Sequence, residues 1–287
     1  MKQQTYFKSS FLLLGFLLTT QSHALFMQRG YTPQESLNSN EQLNSSVPQV
    51  QKPTTDRFEV EYAYDTLDPK DIYGTWQTLT LTNYQKISKD ITIFYQTGFF
   101  KRKIENAFLA SLGAYTDWSD AFYTYSQITV GTKSDYLAKY RVDNDFNFKF
   151  GEKKNIVGTV GITYVKAHNI HSDQIFSLGL TYYAPKYNAS YRLSQNHSNP
   201  GNAVSHSHTL SMGYGREKWQ WLYLDLSYGD QAYVSQQTEV NQDTKSAKIS
   251  YRKWIDKKSG FFGNIGYFTL SEGYDKTNIN LGYFIEY

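Results

Sequence analysis

The stretch RFEVEYAYD (residues 57–65) decides the fold of this chain. Its even positions carry Phe58, Val60, Tyr62 and Tyr64, and the odd positions between them carry glutamate, alanine or aspartate. A period of two places apolar side chains on one face of a β-strand and polar side chains on the other. The sequence therefore predicts a strand that separates two unlike environments.

The same alternation recurs along the rest of the chain in about fourteen segments of roughly ten residues, the length of a strand that spans a membrane. These segments lie near residues 57–66, 74–84, 91–101, 106–116, 121–131, 138–150, 154–166, 174–184, 187–197, 204–215, 219–229, 243–254, 260–270 and 277–287. A soluble β-sandwich also alternates, but its apolar face is rich in Leu, Ile and Val. Here much of that face is tyrosine. We therefore predict an all-β fold, a transmembrane antiparallel up-and-down β-barrel.

Two weakly patterned segments leave the number of strands open. Residues 106–116 and 121–131 carry Ala, Ser and Gly on both faces. A barrel of about twelve strands with a longer inserted segment is therefore an alternative. In either case the sheet must close, because hydrocarbon leaves no partner for an unpaired backbone group. Such a barrel is narrower than a 16-stranded porin, so we expect its own side chains to plug the lumen in part.

The connections and tryptophans predict how the barrel is oriented. With a periplasmic N-terminus, the joints on that side are short, QKISKD, GEKK and REK among them, whereas HSNPGNAV and DQAYVSQQTEVNQ fall on the opposite side. Short periplasmic turns and longer outer loops are typical of outer-membrane barrels. Tryptophans near the periplasmic strand ends predict half of an aromatic girdle. They are Trp118, Trp219, Trp221 and Trp254.

The N-terminal residues predict export. A basic start, the apolar run FLLLGFLL (residues 11–18) and a small-x-small site ending at Ala24 make a secretory signal peptide over residues 1–24. Residues 25–56 are rich in Gln, Asn, Ser, Thr and Pro, so we expect a flexible periplasmic segment, with a docking peptide for a partner as the alternative. The barrel then covers residues 57–287.

Composition excludes several classes of function. The chain has no cysteine, which excludes a disulfide scaffold and thiol chemistry. Lys and Arg together number 29 against 26 Asp and Glu, so the charge is nearly balanced. A nucleic-acid-binding protein would show a basic excess. We expect neither a nucleic-acid partner nor a cofactor.

Four stretches resemble the YaiO family of outer-membrane β-barrel proteins. They are RFEVEYAYDTL (57–67), YNASYRLSQN (187–196), SHSHTLSMGYG (205–215) and WLYLDLSYGD (221–230), and the resemblance extends over about residues 57 to 287. Their motifs are those of barrel strands, with Gly and Tyr at strand ends and alternation between. The resemblance implies location and architecture, together with a place near polysaccharide synthesis or export. It carries over no catalytic residues.

Charged residues on the polar faces are the candidates for function. A charge that faces lipid at mid-depth costs roughly 2 to 4 kcal/mol for Arg or Lys, so these residues are expected to face the lumen. They form either a salt-bridged plug or a selective path for a solute. The candidates are Glu59, Glu61, Arg141, Asp143, Asp145, Lys149, Arg192, Lys248, Arg252 and Glu286.

Histidines near the extracellular strand ends suggest a metal site. Neutral imidazole is a common ligand of zinc and copper. The candidates are His168, His171, His206 and His208, and His197 lies in the same region. The simpler interpretation is that they are solvated loop histidines, because no carboxylate partner is fixed in the sequence.

A barrel hydrolase is a third hypothesis. His171, Ser172 and Asp173 are consecutive, and Ser207 lies between His206 and His208. Neighbouring residues of a strand point in different directions, however, and a triad is recognised by geometry. We therefore expect no enzymatic activity.

The segment TNINLGYFIEY (residues 277–287) predicts a seam strand whose apolar face is turned to lipid. Such a strand with a terminal aromatic resembles the signal by which outer-membrane barrels are recognised for insertion. The residues concerned are Ile279, Leu281, Tyr283, Ile285 and Tyr287.

The sequence thus predicts an integral barrel of the outer membrane of a Gram-negative bacterium. Its expected task is that of a narrow channel, or of an accessory in surface-polysaccharide or solute traffic. A structural or adhesive surface barrel is the alternative. The expected partners are outer-membrane lipids, lipopolysaccharide, the barrel-assembly machinery and a polysaccharide or small solute.

Overall fold

Fourteen β-strands form the described part of the chain, which comprises residue 53, residues 55–235 and residues 238–287 of a computed structural model. The predicted signal peptide and almost all of the predicted periplasmic segment lie outside these residues. The strands are β1 (Arg57–Asp68), β2 (Thr75–Lys86), β3 (Ile91–Lys101), β4 (Asn106–Ser119), β5 (Phe122–Gly131), β6 (Tyr140–Phe150), β7 (Ile156–Lys166), β8 (Ser172–Tyr183), β9 (Tyr187–Asn199), β10 (Ala203–Arg216), β11 (Gln220–Ser235), β12 (Thr238–Trp254), β13 (Ser259–Leu270) and β14 (Asp275–Glu286).

The sheet closes into a barrel in which every strand pairs antiparallel with its sequence neighbours. β1 and β14 form the seam, in register from Arg57 opposite Glu286 to Asp68 opposite Asp275. The prediction of a fourteen-stranded up-and-down barrel is confirmed. The weakly patterned β4 and β5 pair along their length, so the twelve-strand alternative is wrong. Backbone pairing does not require alternating side chains, which is why a weak pattern still forms strands in lipid.

The two faces of the wall differ as the alternation predicts. In β1 the odd-numbered residues are buried in the lumen, whereas outward residues such as Tyr62 and Tyr64 are exposed. In β14 the outward Leu281 is 71% exposed, whereas the inward Asn280 and Phe284 are buried. The exposed face is apolar because lipid, not a second sheet, covers it.

Only two of the four tryptophans lie on the outer face, where the sequence predicts an aromatic girdle. Trp118 and Trp219 point outward and are exposed. Trp221 and Trp254, in contrast, are buried within an aromatic cluster with Phe284. Each occupies a lumen-facing position of its strand, so proximity to the strand end does not decide the direction of the side chain.

Both ends of the barrel lie on the same side, the one that the sequence predicts to be periplasmic. Two predicted long outer connections are wrong. β11 and β12 continue as a paired hairpin from Asp230 opposite Asp243 to Ser235 opposite Thr238. β9 and β10 likewise extend until only residues 200–202 separate them. In this extension neighbouring residues of β11 are buried on both faces, so strand pairing continues there without an apolar stripe that the sequence could show.

One short helix, α1 (Lys70–Tyr73), lies in the β1–β2 connection. It ends at Gly74, whose φ of 72° favours a residue without a side chain. Within the ranges given above, no helix is long and apolar enough to cross a membrane.

Candidate functional site: the charged lumen

The lumen holds charged side chains at three levels, which we call the periplasmic, central and extracellular clusters. The periplasmic cluster comprises Arg57, Glu59, Arg252 and Glu286, and the central cluster comprises Arg141, Asp143, Asp145, Arg192, Asp225 and Lys248. The extracellular cluster comprises Asp65, Arg102 and Lys276. All lie on lumen-facing positions of the strands except Arg102, which follows β3.

The periplasmic cluster is a buried network of ion pairs. Arg57 Nε and Arg252 Nη1 each lie 2.9 Å from Glu59 Oε1. Arg252 also stacks on Phe262 and Phe284, with its guanidinium carbon 4.6 and 4.7 Å from the ring centroids. These charges are at most 2% exposed. Arg57 also lies over Tyr84, the first member of a second aromatic cluster on β2 to β5. The periplasmic side of the lumen near the seam is therefore filled.

Glu217 extends this cluster from the turn between β10 and β11. Its neighbour Lys218 pairs with Glu286, which ties the turn to the seam. The carboxylate atom Oε2 of Glu217 is buried without a hydrogen-bond partner. Burial raises the pKa of Glu217 to about 7, against the opposing effect of Arg57.

The central cluster lies along the wall. Arg192 of β9 binds Asp145 of β6 with two contacts of 2.9 and 2.6 Å, and it contacts Ser177 of β8 at 2.5 Å. Its side chain therefore reaches over β8 and β7. Such a path is open because Gly161 of β7, which sits beside Asp145 and Ser177, has no side chain.

Two further ion pairs complete the central cluster. Arg141 binds Asp143 through Nε and Nη2, with distances of 2.7 to 2.9 Å, and Thr163 donates to Asp143 at 2.7 Å. Lys248 Nζ lies 3.3 Å from Asp225 Oδ2. The side chains of these pairs keep between 7% and 24% of their surface exposed, unlike those at the periplasmic end. The centre of the lumen is therefore polar and open to solvent in part.

The extracellular cluster combines charge with aromatic rings. The guanidinium carbon of Arg102 lies 4.0 Å from the ring centroid of Trp76 and 5.2 Å from that of Tyr136. Arg102 Nη1 is 3.8 Å from Asp65 Oδ2, and Lys276 Nζ is 5.4 Å from the Trp76 centroid. Desolvated cation–π contacts of this kind are worth about 2 kcal/mol each. They pack the mouth of the barrel near β1 to β3.

The structure places every predicted lumen candidate on an inward position. Glu61, which accepts a hydrogen bond from Asn280, and Lys149, whose Nζ lies 5.0 Å from the Tyr123 ring centroid, complete the set. Sequence reasoning missed Arg57, Asp65, Asp225 and Lys276, although they occupy lumen positions in the alternation. Arg102 follows the end of β3, so no period could reveal its direction.

The histidines are dispersed. His206 is exposed on the outer face, and His208 on the same face lies with Nδ1 2.6 Å from the hydroxyl of Tyr191. His168 Nε2 is 3.2 Å from the carbonyl of Gly131, and His171 is buried between Asn169 and Val234. The ranges that the structure describes contain no group of three or more His, Cys, Asp or Glu that could hold a metal ion.

The barrel wall separates the serine of the proposed hydrolase site from the histidines beside it in sequence. Ser207 is buried in the lumen, whereas His206 and His208 point to the outer face. Asp173 is directed into the lumen, where Asn196 Nδ2 donates to it at 3.2 Å. Adjacent residues of a strand cannot meet across its backbone.

The predicted insertion-signal residues lie on the outer face of the seam. Ile279, Leu281, Tyr283, Ile285 and Tyr287 are each between 40% and 71% exposed. Tyr287 also donates through its hydroxyl to Asn83 of β2 at 2.7 Å, and its N–H donates to Asp56. The final strand is therefore held to the start of the barrel on the periplasmic side.

Known proteins resemble this chain in sequence and in fold. The sequence profile of the YaiO membrane beta barrel domain matches residues 55–234. No curated protein matches the chain.

Among solved structures, an outer membrane channel from Pseudomonas putida F1 aligns with a TM-score of 0.53 at 11% identity, covering 91% of this chain and 100% of its own. The CymD monoaromatic hydrocarbon channel aligns with a TM-score of 0.55 at 6% identity over 88% of this chain and 93% of its own. A bacterial polysaccharide outer membrane secretin aligns with a TM-score of 0.53 at 9% identity over 80% and 98%. At such identities the likeness shows the fold alone.

Proposed function

Because this chain belongs to the YaiO family of membrane β-barrels, we propose that it is a narrow channel of the bacterial outer membrane for ions and small polar solutes. The central cluster is the observation that supports this proposal. Its ion pairs join residues of the wall strands and keep part of their surface in water. A barrel that served only as a scaffold would gain more from an apolar packed centre, because buried ion pairs contribute little net stability.

Packing at the two ends favours a small solute over a polymer. Near the seam the periplasmic cluster fills the lumen, and the extracellular cluster packs the opposite end. A polysaccharide needs a continuous wide path. An accessory role in surface-polysaccharide traffic stays a prediction, since the polysaccharide secretin shares only the fold with this chain.

The proposal includes delivery and surroundings. After removal of residues 1–24, the barrel-assembly machinery would insert the chain, with outer-membrane lipids and lipopolysaccharide covering its outer face. The exposed apolar band of the outer face, exemplified by Leu178 and Leu281, supports this environment. No enzymatic step enters the proposal.

Conductance in planar bilayers tests the channel. Refolded protein is expected to give small single-channel steps in potassium chloride. In a salt gradient, Asp225→Asn should shift the reversal potential toward anion preference and Lys248→Gln toward cation preference. We expect a change of about twofold in the permeability ratio, since a charge some 8 Å away in water is worth roughly 0.5 kcal/mol.

Tyr228→Phe is the matched control, because Tyr228 lies on the outer face of the same strand as Asp225 and is 58% exposed. This variant should leave the reversal potential unchanged. Folded wild-type protein that gives no steps with any small ion would refute the channel and favour a structural or adhesive barrel.

A further inference from the structure

The extracellular mouth of the barrel is partly roofed by its connections. In the loop of residues 132–139, Leu137 and Ala138 are buried, and the N–H of Asp135 donates to Glu105 Oε1 at 2.8 Å. The helix α1 is tied to its neighbours as well, since Tyr73 donates to the carbonyl of Gly273 at 3.5 Å. These connections fold inward and lie close to the barrel.

The extracellular end of β11 meets a connection from a distant part of the wall. Its carbonyl at Val234 is 3.4 Å from Nε2 of His171, in the β7–β8 connection. Three strands, β8 to β10, separate that connection from β11 along the wall, so the end of β11 reaches over the mouth.

Gly201 provides the space under this segment. It lies in the β9–β10 turn with a φ of 96°, and a side chain there would start 2.9 Å from Cβ of Val234. Val234 therefore packs directly against the β9–β10 turn. The contact depends on a residue without a side chain.

Both ring nitrogens of His171 face oxygen acceptors. Asn169 Oδ1 lies 3.1 Å from Nδ1, and it also accepts the backbone N–H of His171 at 2.9 Å. Since a backbone N–H can only donate, the Asn169 atom must be the oxygen of the amide. The carbonyl of Val234 can only accept as well. The two ring contacts are therefore both hydrogen bonds only when the imidazole carries two protons.

The charged and titratable groups around His171 come from several elements. Lys166 of β7 donates to the carbonyl of His171 at 3.3 Å, and His168 lies in the same connection. Asp173 of β8 is buried two residues further along the chain, and Tyr233 of β11 is next to Val234.

We propose that protonated His171 latches the extracellular end of β11 over the mouth, so that the channel is closed at acidic pH and opens as the pH rises. This regulation rests on the proposed channel function. The neutral imidazole keeps its remaining proton on Nδ1, whose contact with Asn169 is the shorter of the two, so Nε2 then faces the Val234 carbonyl as a second acceptor and that contact is lost. The closed state binds the proton, so raising the pH favours the open state.

Cysteine labelling tests the latch without relying on conductance, because the natural chain has no cysteine. Ser207→Cys would place a thiol in the lumen below the latch, where the serine is 4% exposed. Thr238→Cys would provide a reference thiol on an exposed residue of β12. The labelling rates with a membrane-impermeant thiosulfonate, taken as a ratio of Ser207→Cys to Thr238→Cys, cancel the pH dependence of the thiol itself.

We expect the ratio to rise about tenfold between about pH 5 and pH 8, the factor that corresponds to one charge-assisted hydrogen bond. His171→Ala should give the high labelling ratio at both pH values. His171→Arg keeps a permanent charge and several donors, so it should give the low labelling ratio at both pH values. His168→Ala is the matched control and should keep the pH response. A ratio independent of pH in the natural sequence, or a preserved response in His171→Ala, would overturn the latch.

Conductance separates this inference from the proposed function. If the channel conducts but shows no pH response, with labelling equally flat, the latch alone is wrong. If labelling follows the expected pattern while no variant conducts at any pH, the latch stands as a gate over the lumen and the channel is wrong.

Discussion

Gly161 shows how a missing side chain organises the central cluster. An added Cβ at this position would meet Arg192, Ser177 and Asp145 at once, well inside normal contact distance. The ion pair between Arg192 and Asp145 therefore crosses β7 only because this residue is a glycine. Gly266, also on a lumen-facing position, has room for a methyl group, with its nearest neighbours at 3.6 Å.

Gly161→Ala should displace Arg192 from Asp145. We expect a loss of about 1–3 kcal/mol in the free energy of unfolding, typical of an overpacked site. Urea unfolding of the refolded barrel in detergent micelles measures it. Gly266→Ala is the control and should stay within about 0.5 kcal/mol of the natural protein. Equal stabilities for the two variants would show that the pair does not need the space at Gly161.

The sequence could predict the direction of side chains within strands but not beyond them. Alternation alone assigns Arg192 and Asp145 to the lumen, yet it does not show that they meet across two strands. That contact depends on the register of four strands and on Gly161. Arg102 and His171 lie in connections, where direction follows from local folding and not from a period.

At the level of elements, the turn between β10 and β11 is the clearest case of a connection with its own electrostatics. Lys218 pairs with Glu286 and donates to the carbonyl of Lys257 at 3.3 Å, so the turn packs beneath the seam. The carboxylate of Glu217 is buried together with this turn. In the sequence this turn is the short charged stretch REK, which does not indicate that its glutamate is buried.

Glu217→Gln should change how stability depends on pH. The pKa of Glu217 is raised from 4.5 to about 7, so the folded state disfavours the carboxylate. The natural protein therefore loses stability as the pH rises from about 4.5 to about 7, by on the order of 3 kcal/mol at most. The glutamine variant should lack this loss.

Thermal or urea unfolding at about pH 4 and pH 8 measures the difference between the two proteins. Glu239→Gln provides the control, because Glu239 is an exposed carboxylate of β12. A natural protein whose stability relative to Glu217→Gln is the same at both pH values would contradict the buried-carboxylate interpretation.

The hairpin of β11 and β12 shows where a sequence pattern does not predict a strand. The barrel strands were predictable because each must alternate between lipid and lumen. The extension of β11 and β12 beyond the lipid-facing band buries the adjacent Gln231 and Ala232 alike and therefore carries no such stripe. Its strand character follows from paired neighbours such as Ala232 opposite Asn241, which a single sequence does not reveal.

At the scale of the whole molecule, the wall is a boundary between two solvents. Its outer face has exposed apolar residues from β1 around to β14, and its inner face holds the charged clusters. The same substitution should therefore have opposite consequences on the two faces. Leu281 and Ser190 allow this comparison, because the first is 71% exposed on the outer face and the second is half-buried in the lumen.

Leu281→Arg should impair membrane insertion, whereas Ser190→Arg should not. An arginine facing hydrocarbon at mid-depth costs roughly 2–4 kcal/mol, and in the lumen it meets water and the carboxylates of the central cluster. Folding yield into lipid vesicles, followed by the heat-dependent shift of the folded barrel on a gel, measures both variants. Equal yields would contradict the assignment of Leu281 to the lipid face, and a lower yield for Ser190→Arg alone would reverse the assignment of inside and outside. A lower yield for Leu281→Arg alone would show that the alternation seen in residues 57–65 separates a face in lipid from a face in water.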